Sequence, residues 1–153
     1  MALFLVQHGK SLPKEIDPEQ SLSEEGRSEV EYISGLAKDH KVRVARIGHS
    51  GKTRARQTAE IFASALMPEK GVTETPGLNP LDDVAISAKG IDSREDMMLV
   101  GHLPFMERLT SYLITGSPDR PVFKFQNGGV VCLDRDSNTG FWVIKWALTP
   151  RIG

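Results

Sequence analysis

The sequence predicts an α/β fold in three layers: a mostly parallel central sheet flanked by helices, with an antiparallel hairpin near the C-terminus. Three observations carry this. Short apolar runs at Leu3–Val6, Val42–Ile47 and Met97–Val100 alternate with segments of helical period, the pattern of strand-helix units that builds parallel sheets. In the last third, strand-like runs at Val122–Phe125, Val130–Leu133 and Phe141–Trp146 replace the helices, with Asp136-Ser137-Asn138-Thr139-Gly140 as a turn between the last two; this makes the sheet mixed. Finally, 153 residues that are 39% hydrophobic suffice for one domain, residues 1–153, whose sheet is covered on both faces.

In chain order, Leu3-Phe4-Leu5-Val6 reads as a buried strand that stops at Gln7-His8-Gly9, and Lys10 to Gln20, polar and interrupted by Pro13 and Pro18, as its exit loop. Ser21 and Ser23 offer N-caps, Glu24 and Glu25 suit a first helical turn, and Val30, Ile33, Leu36 and Ala37 recur at helical spacing. Val42, Val44 and Ile47 alternate with Arg43 and Arg46, giving a strand that ends near Gly48-His49-Ser50. A helix follows from Thr53 to about Leu66, with Ala59, Ile61, Phe62 and Leu66 on its apolar side. Val72 to Thr75 is a short strand, Pro76-Gly77-Leu78-Asn79-Pro80 a break, and Asp82 and Asp83 precede a short helix to Lys89. After the strand at Met97–Val100, Pro104 suits the first turn of a helix through Met106, Leu109, Tyr112 and Leu113, which Gly116 ends.

Composition narrows the function. A formal net charge of −1 sets up no global field toward nucleic acid or an anionic membrane, so any anion site is local. The single cysteine, Cys132, excludes an intrachain disulfide framework and a multi-cysteine zinc site, and its apolar neighbours point to strand packing. There is no signal-peptide pattern and no run near the ~20 apolar residues of a membrane span. A soluble cytoplasmic protein is expected. Gly51-Lys52-Thr53 imitates part of a phosphate-binding P-loop, but that motif needs a glycine where Arg46 stands.

His8 follows a strand at the sheet end where helix N-termini attract anions. Ser50-Gly51-Lys52-Thr53-Arg54-Ala55-Arg56-Gln57-Thr58-Ala59 opens a helix with a basic cluster, and Leu99-Val100-Gly101-His102-Leu103-Pro104 repeats the strand-then-histidine layout. His40 reads as a helix C-terminal residue and His49 as a loop residue. With Leu22-Ser23-Glu24-Glu25-Gly26, these stretches resemble the histidine phosphatase superfamily (phosphoglycerate mutase-like) from Leu3 to about Pro150, and in length its short SixA-like phosphohistidine phosphatases.

The resemblance implies that His8 is a nucleophile that becomes phosphorylated, that Arg54 is a phosphate-binding arginine, and that His102 is the second active-site histidine, donating to the phosphoryl group as neutral imidazole or as the cation. A planar guanidinium holds two phosphate oxygens at once. A histidine nucleophile works without metal or cofactor, provided its other ring N–H is fixed by a backbone carbonyl. The family opens on Arg-His-Gly, whereas here Gln7 precedes His8. An amide donates hydrogen bonds but brings no charge, and losing a preorganised donor costs on the order of 3 kcal/mol, so a slow enzyme is expected. Lys10 is the nearest substitute charge in sequence. As leaving-group acid, Asp83 aligns better than Asp82, and either can instead be a solvated loop carboxylate. A phosphohistidine substrate has less need of that acid, because solvent protonates its leaving imidazole.

The expected partners are a phosphohistidine protein and inorganic phosphate in the pocket, with no nucleic acid or membrane, and a monomer is favoured. Two other functions fit the same residues: a non-catalytic phosphate- or phosphoprotein-binding module that lost turnover with Gln7, and a general phosphomonoesterase using Asp82 or Asp83. A metal hydrolase built on His8, His49, His102 and an aspartate lacks compact ligand spacing.

Overall fold

In the computed structural model the described residues, 1–91 and 94–152, run β1 (Ala2–Gln7), α1 (Glu24–Asp39), β2 (Arg46–His49), α2 (Thr53–Leu66), β3 (Val72–Glu74), α3 (Val84–Lys89), β4 (Met97–Gly101), α4 (Phe105–Thr115), β5 (Val130–Arg135) and β6 (Trp142–Leu148). The strands form one sheet in the order β3-β2-β4-β1-β5-β6. The first four of that order are parallel to one another, and β5 and β6 add as an antiparallel pair beside β1.

Side chains alternate across β1 and divide the core in two. Leu3 and Leu5 meet Met97, Leu99, Val131 and Leu133 beneath Val84 of α3 and Phe105, Met106 and Leu109 of α4. Phe4 and Val6 meet Ile47, Met98, Val100 and Cys132 beneath Val30 and Ile33 of α1 and Ala55, Ala59 and Phe62 of α2. Strands buried on both faces read as continuous apolar runs, which is why β1 and β4 are plain in the sequence. Burial pushes the Cys132 thiol up to about 11, which leaves it a packing residue. Among the described residues no helix is long and apolar enough to cross a membrane.

Ser23 caps α1 by accepting from the Gly26 N–H at 3.0 Å, and Gly116, with φ 83°, ends α4 in the left-handed region that favours glycine. Three expectations need correction. The strand placed at Val42–Ile47 begins only at Arg46: the Val42 N–H still closes α1 by bonding the Ala37 carbonyl, so its alternation marks a half-buried lead-in. Val122–Phe125 is no strand. The Phe125 N–H donates to the Glu107 carboxylate of α4 at 3.2 Å, and the Phe123 and Phe125 rings meet edge-on at 5.0 Å; a helix, not a neighbouring strand, absorbs these aromatics. Pro104 stands one place earlier than expected, as the N-cap residue of α4.

The register positions the site. Gln7 lies opposite Gly101 in the parallel β1–β4 pair, and the His8 N–H donates to the Gly101 carbonyl at 3.0 Å. The two strand-then-histidine stretches therefore leave the sheet side by side. β2 ends on the other side of β4 and leads through Ser50 into α2.

Candidate functional site

His8 and His102 approach with ring centroids 5.0 Å apart, and the Nε–H of Arg54, in the first turn of α2, donates to His8 Nε2 at 3.3 Å. The three groups come from positions 8, 54 and 102 and meet beyond the C-terminal ends of β1, β2 and β4, where parallel strands leave a crevice.

The His8 ring is fixed on its far side. Its Nδ1 lies 2.7 Å from the Gly9 carbonyl, and a carbonyl only accepts, so the proton is on Nδ1 and Nε2 carries the lone pair. Burial, opposed by that carbonyl and reinforced by the Arg54 charge, lowers His8 to about 4. At neutral pH the ring is therefore uncharged, with a nucleophilic Nε2. The backbone around it is equally tied: the Gly9 N–H donates to Thr58 Oγ1 at 2.9 Å, and Asn127 Nδ2 donates to the His8 carbonyl at 3.0 Å. Gly9 is required here, because a Cβ would come within 2.8 Å of Val30. Likewise a Cβ on Gly26 would come within 2.1 Å of the Lys10 carbonyl, so the exit loop lies flush against α1.

Burial also lowers the pKa of Arg54, and its one described polar side-chain contact is His8. Two neighbouring cations are committed elsewhere, Arg56 to Glu60 at 2.7 Å and Lys10 to Glu25 at 2.9 Å. A half-buried guanidinium with no carboxylate partner among the described residues is poised for an anion. The contact of Lys10 with Glu25 also corrects the suggestion that it replaces the charge missing at Gln7: its amine is engaged with α1, and Glu25 is further bound by Arg151 at 2.8 Å.

His102 is 2% exposed. Burial first, then electrostatic interaction with His8, Arg54 and Lys52, brings it down to about 3, so at neutral pH it is the neutral imidazole of the two forms expected and not the cation. Its Nε2 lies 2.6 Å from Ser50 Oγ, while its Nδ1 is buried without a partner. Ser50 is a site residue that sequence reasoning passed over, although a small hydroxyl between a strand end and a helix start is the available signal.

Gln7 is buried, and its Oε1 has no hydrogen-bond partner. The cluster thus sets the Arg54 guanidinium beside two neutral imidazoles, with the charge of Lys52 near enough to act on His102. The aspartates do not join it in the described contacts: Asp83 caps α3, accepting from the Ala85 N–H at 2.9 Å, and Asp82 accepts from the Asn79 N–H at 2.9 Å. His49 Nδ1 accepts from the Gly51 N–H at 3.0 Å and steadies the turn into α2. Among the described residues, no three His, Cys, Asp or Glu side chains gather as metal ligands. A separate cavity of about 430 Å³, lined by Gly48, Thr75, Leu78, Ile86 and Leu99, contains none of the site residues.

No protein-family model and no curated protein sequence matches the chain. Solved structures do. The protein histidine phosphatase SixA, complexed with tungstate, shares 24% identity over 98% of this chain and 97% of that one, with a TM-score of 0.79. A structure from Agrobacterium tumefaciens assigned as phosphohistidine phosphatase SixA shares 25% identity, covers 97% of each chain and has a TM-score of 0.76. Another from Escherichia coli K-12, assigned as an alpha-ribazole-5'-P phosphatase, shares 18% identity over 100% of this chain and 99% of that one, with a TM-score of 0.73.

Proposed function

We propose that this chain, which has the fold of the histidine phosphatase superfamily, is a phosphatase of that superfamily acting as one domain on phosphohistidine in another protein. The observation that carries the reading is the convergence of His8, His102 and an Arg54 that has no carboxylate partner among the described residues, with His8 Nε2 deprotonated and its ring locked by Gly9. Likeness in fold to SixA, whose solved complex contains tungstate, adds to it.

The chemistry follows from those groups. His8 Nε2 attacks phosphorus in line, the P–N bond of the substrate breaks, and the phosphoryl group passes to Nε2. The leaving imidazole keeps the electron pair of that bond and carries a proton taken from solvent at its far nitrogen, so the step proceeds without a carboxylic acid. Water then attacks the phospho-His8 phosphorus, releasing inorganic phosphate and restoring the Nε2 lone pair. Arg54 neutralises charge on the phosphoryl oxygens through both steps. The engagement of Asp82 and Asp83 with backbone N–H groups favours this reading over a phosphomonoesterase, where an alkoxide must be protonated as it departs.

The test is to incubate the protein briefly with a phosphohistidine peptide in the presence of chelator, quench in base, and map the modified residue. Phosphate on His8 is expected. Steady turnover with no label on His8, or turnover that chelator abolishes, would overturn the mechanism.

The buried, uncharged amide of Gln7, standing where the superfamily's opening pattern has an arginine, favours a second reading, a phosphoprotein-binding module with little turnover. Gln7→Arg separates the two: a second guanidinium at this position is expected to raise turnover at least about tenfold, out of roughly a hundredfold or more that one preorganised donor supplies. A folded variant that binds phosphate but gains no turnover would favour the binding module.

A further inference from the structure

The site contains a donor that the reading above does not use. Ser50 is half-buried at the exit of β2, with its Oγ 2.6 Å from His102 Nε2 and at the end of a long contact from the Lys52 N–H at 3.4 Å. Which of the two partners donates in the short contact depends on the His102 tautomer, and burial decides it. Nδ1 of His102 is buried with no partner. A neutral imidazole has one N–H; placing it on Nδ1 would orphan a buried donor, which is rarer and costlier than leaving a lone pair unpaired. The proton therefore sits on Nε2, and His102 donates to Ser50.

With donors arriving from His102 and Lys52, the acceptor capacity of Ser50 Oγ is filled, while its own proton has no acceptor among the described residues. We propose that the Ser50 hydroxyl is a further phosphate-binding donor of this site, its Oγ accepting from His102 Nε2–H while its own O–H is directed to a phosphoryl oxygen beside those held by Arg54. It contributes a neutral hydrogen bond beside the Arg54 guanidinium and holds the Nε2–H of His102. The inference rests on the site being a phosphate pocket, but not on its turnover.

The experiment measures inorganic phosphate affinity by calorimetry for the full chain, Ser50→Ala and Ser50→Thr, together with the ¹⁵N shifts of the His102 ring in the unliganded protein. Expected are phosphate binding at least threefold weaker in Ser50→Ala, a threonine variant nearer to wild type than to alanine, and the proton on Nε2. A weakening of less than threefold, equal losses in both variants, or a proton on Nδ1 would overturn the proposal. If the alanine variant does not fold, Ser50→Cys supplies the same comparison, because its S–H is a weak donor of similar size. Binding that responds to Ser50 without any phosphohistidine turnover would sustain this inference and sink the phosphatase reading; turnover with binding indifferent to Ser50 would do the reverse.

Discussion

His8→Ala is expected to lose phosphohistidine hydrolysis by a factor on the order of 10⁴ or more, the scale on which removing a covalent nucleophile acts. The variant is also expected to accept no phosphoryl label. The side chain removed contacts the Gly9 carbonyl and Arg54, whereas the backbone that shapes the loop is held by Thr58, Asn127 and Gly101. The variant should therefore fold and retain Arg54 for phosphate, so that loss of turnover with binding kept isolates the covalent role. The pH profile gives a further check. The His8 pKa is lowered to about 4, so in the free protein the attacking nitrogen stays unprotonated from neutral pH down to roughly pH 5. The acid limb of kcat/KM should fall only as pH approaches 4, well below the ordinary histidine range. An acid limb centred near 6.5 would show that the ring is not desolvated as described, and residual turnover in the alanine variant within tenfold of wild type would remove His8 as nucleophile.

Arg54→Lys is expected to reduce kcat/KM by roughly a hundredfold, equivalent to about 3 kcal/mol of transition-state stabilisation. Charge is kept, so the loss measures the fork: an ammonium cannot contact His8 Nε2 and still reach two phosphoryl oxygens as a guanidinium can. Because Arg54 forms no described ion pair with a carboxylate, the substitution breaks no salt bridge, and thermal stability should stay close to that of wild type. The same change at Arg56, paired with Glu60 on the exposed side of α2, serves as control and should leave turnover unchanged. Equal effects at the two positions would mean that general basicity of the helix start, and not the placement of Arg54, governs the reaction.

The parts of this arrangement that sequence reveals are those written in local pattern. An apolar run that halts at histidine, twice, marks strands whose ends must face the same edge once the strands are parallel, and a basic residue in the first turn after β2 completes the set. Contacts between distant side chains leave no such trace. Lys10 looks available until Glu25 of α1 is seen beside it, and Asn127 reaches the His8 carbonyl across 119 positions. Val122–Phe125 misled because alternation reports burial, and a helix carrying Glu107 buries it as well as a strand would. Ser50 stood inside a stretch already singled out, yet its partner lies 52 positions away, so only the folded chain pairs them.

Thr58, fully buried in α2, takes the Gly9 N–H and gives its own proton to the Arg54 carbonyl at 2.8 Å. One hydroxyl thereby yokes the loop bearing the attacking nitrogen to the helical turn bearing the guanidinium. The placing of His8 relative to Arg54 is therefore set through a single buried side chain that both segments share.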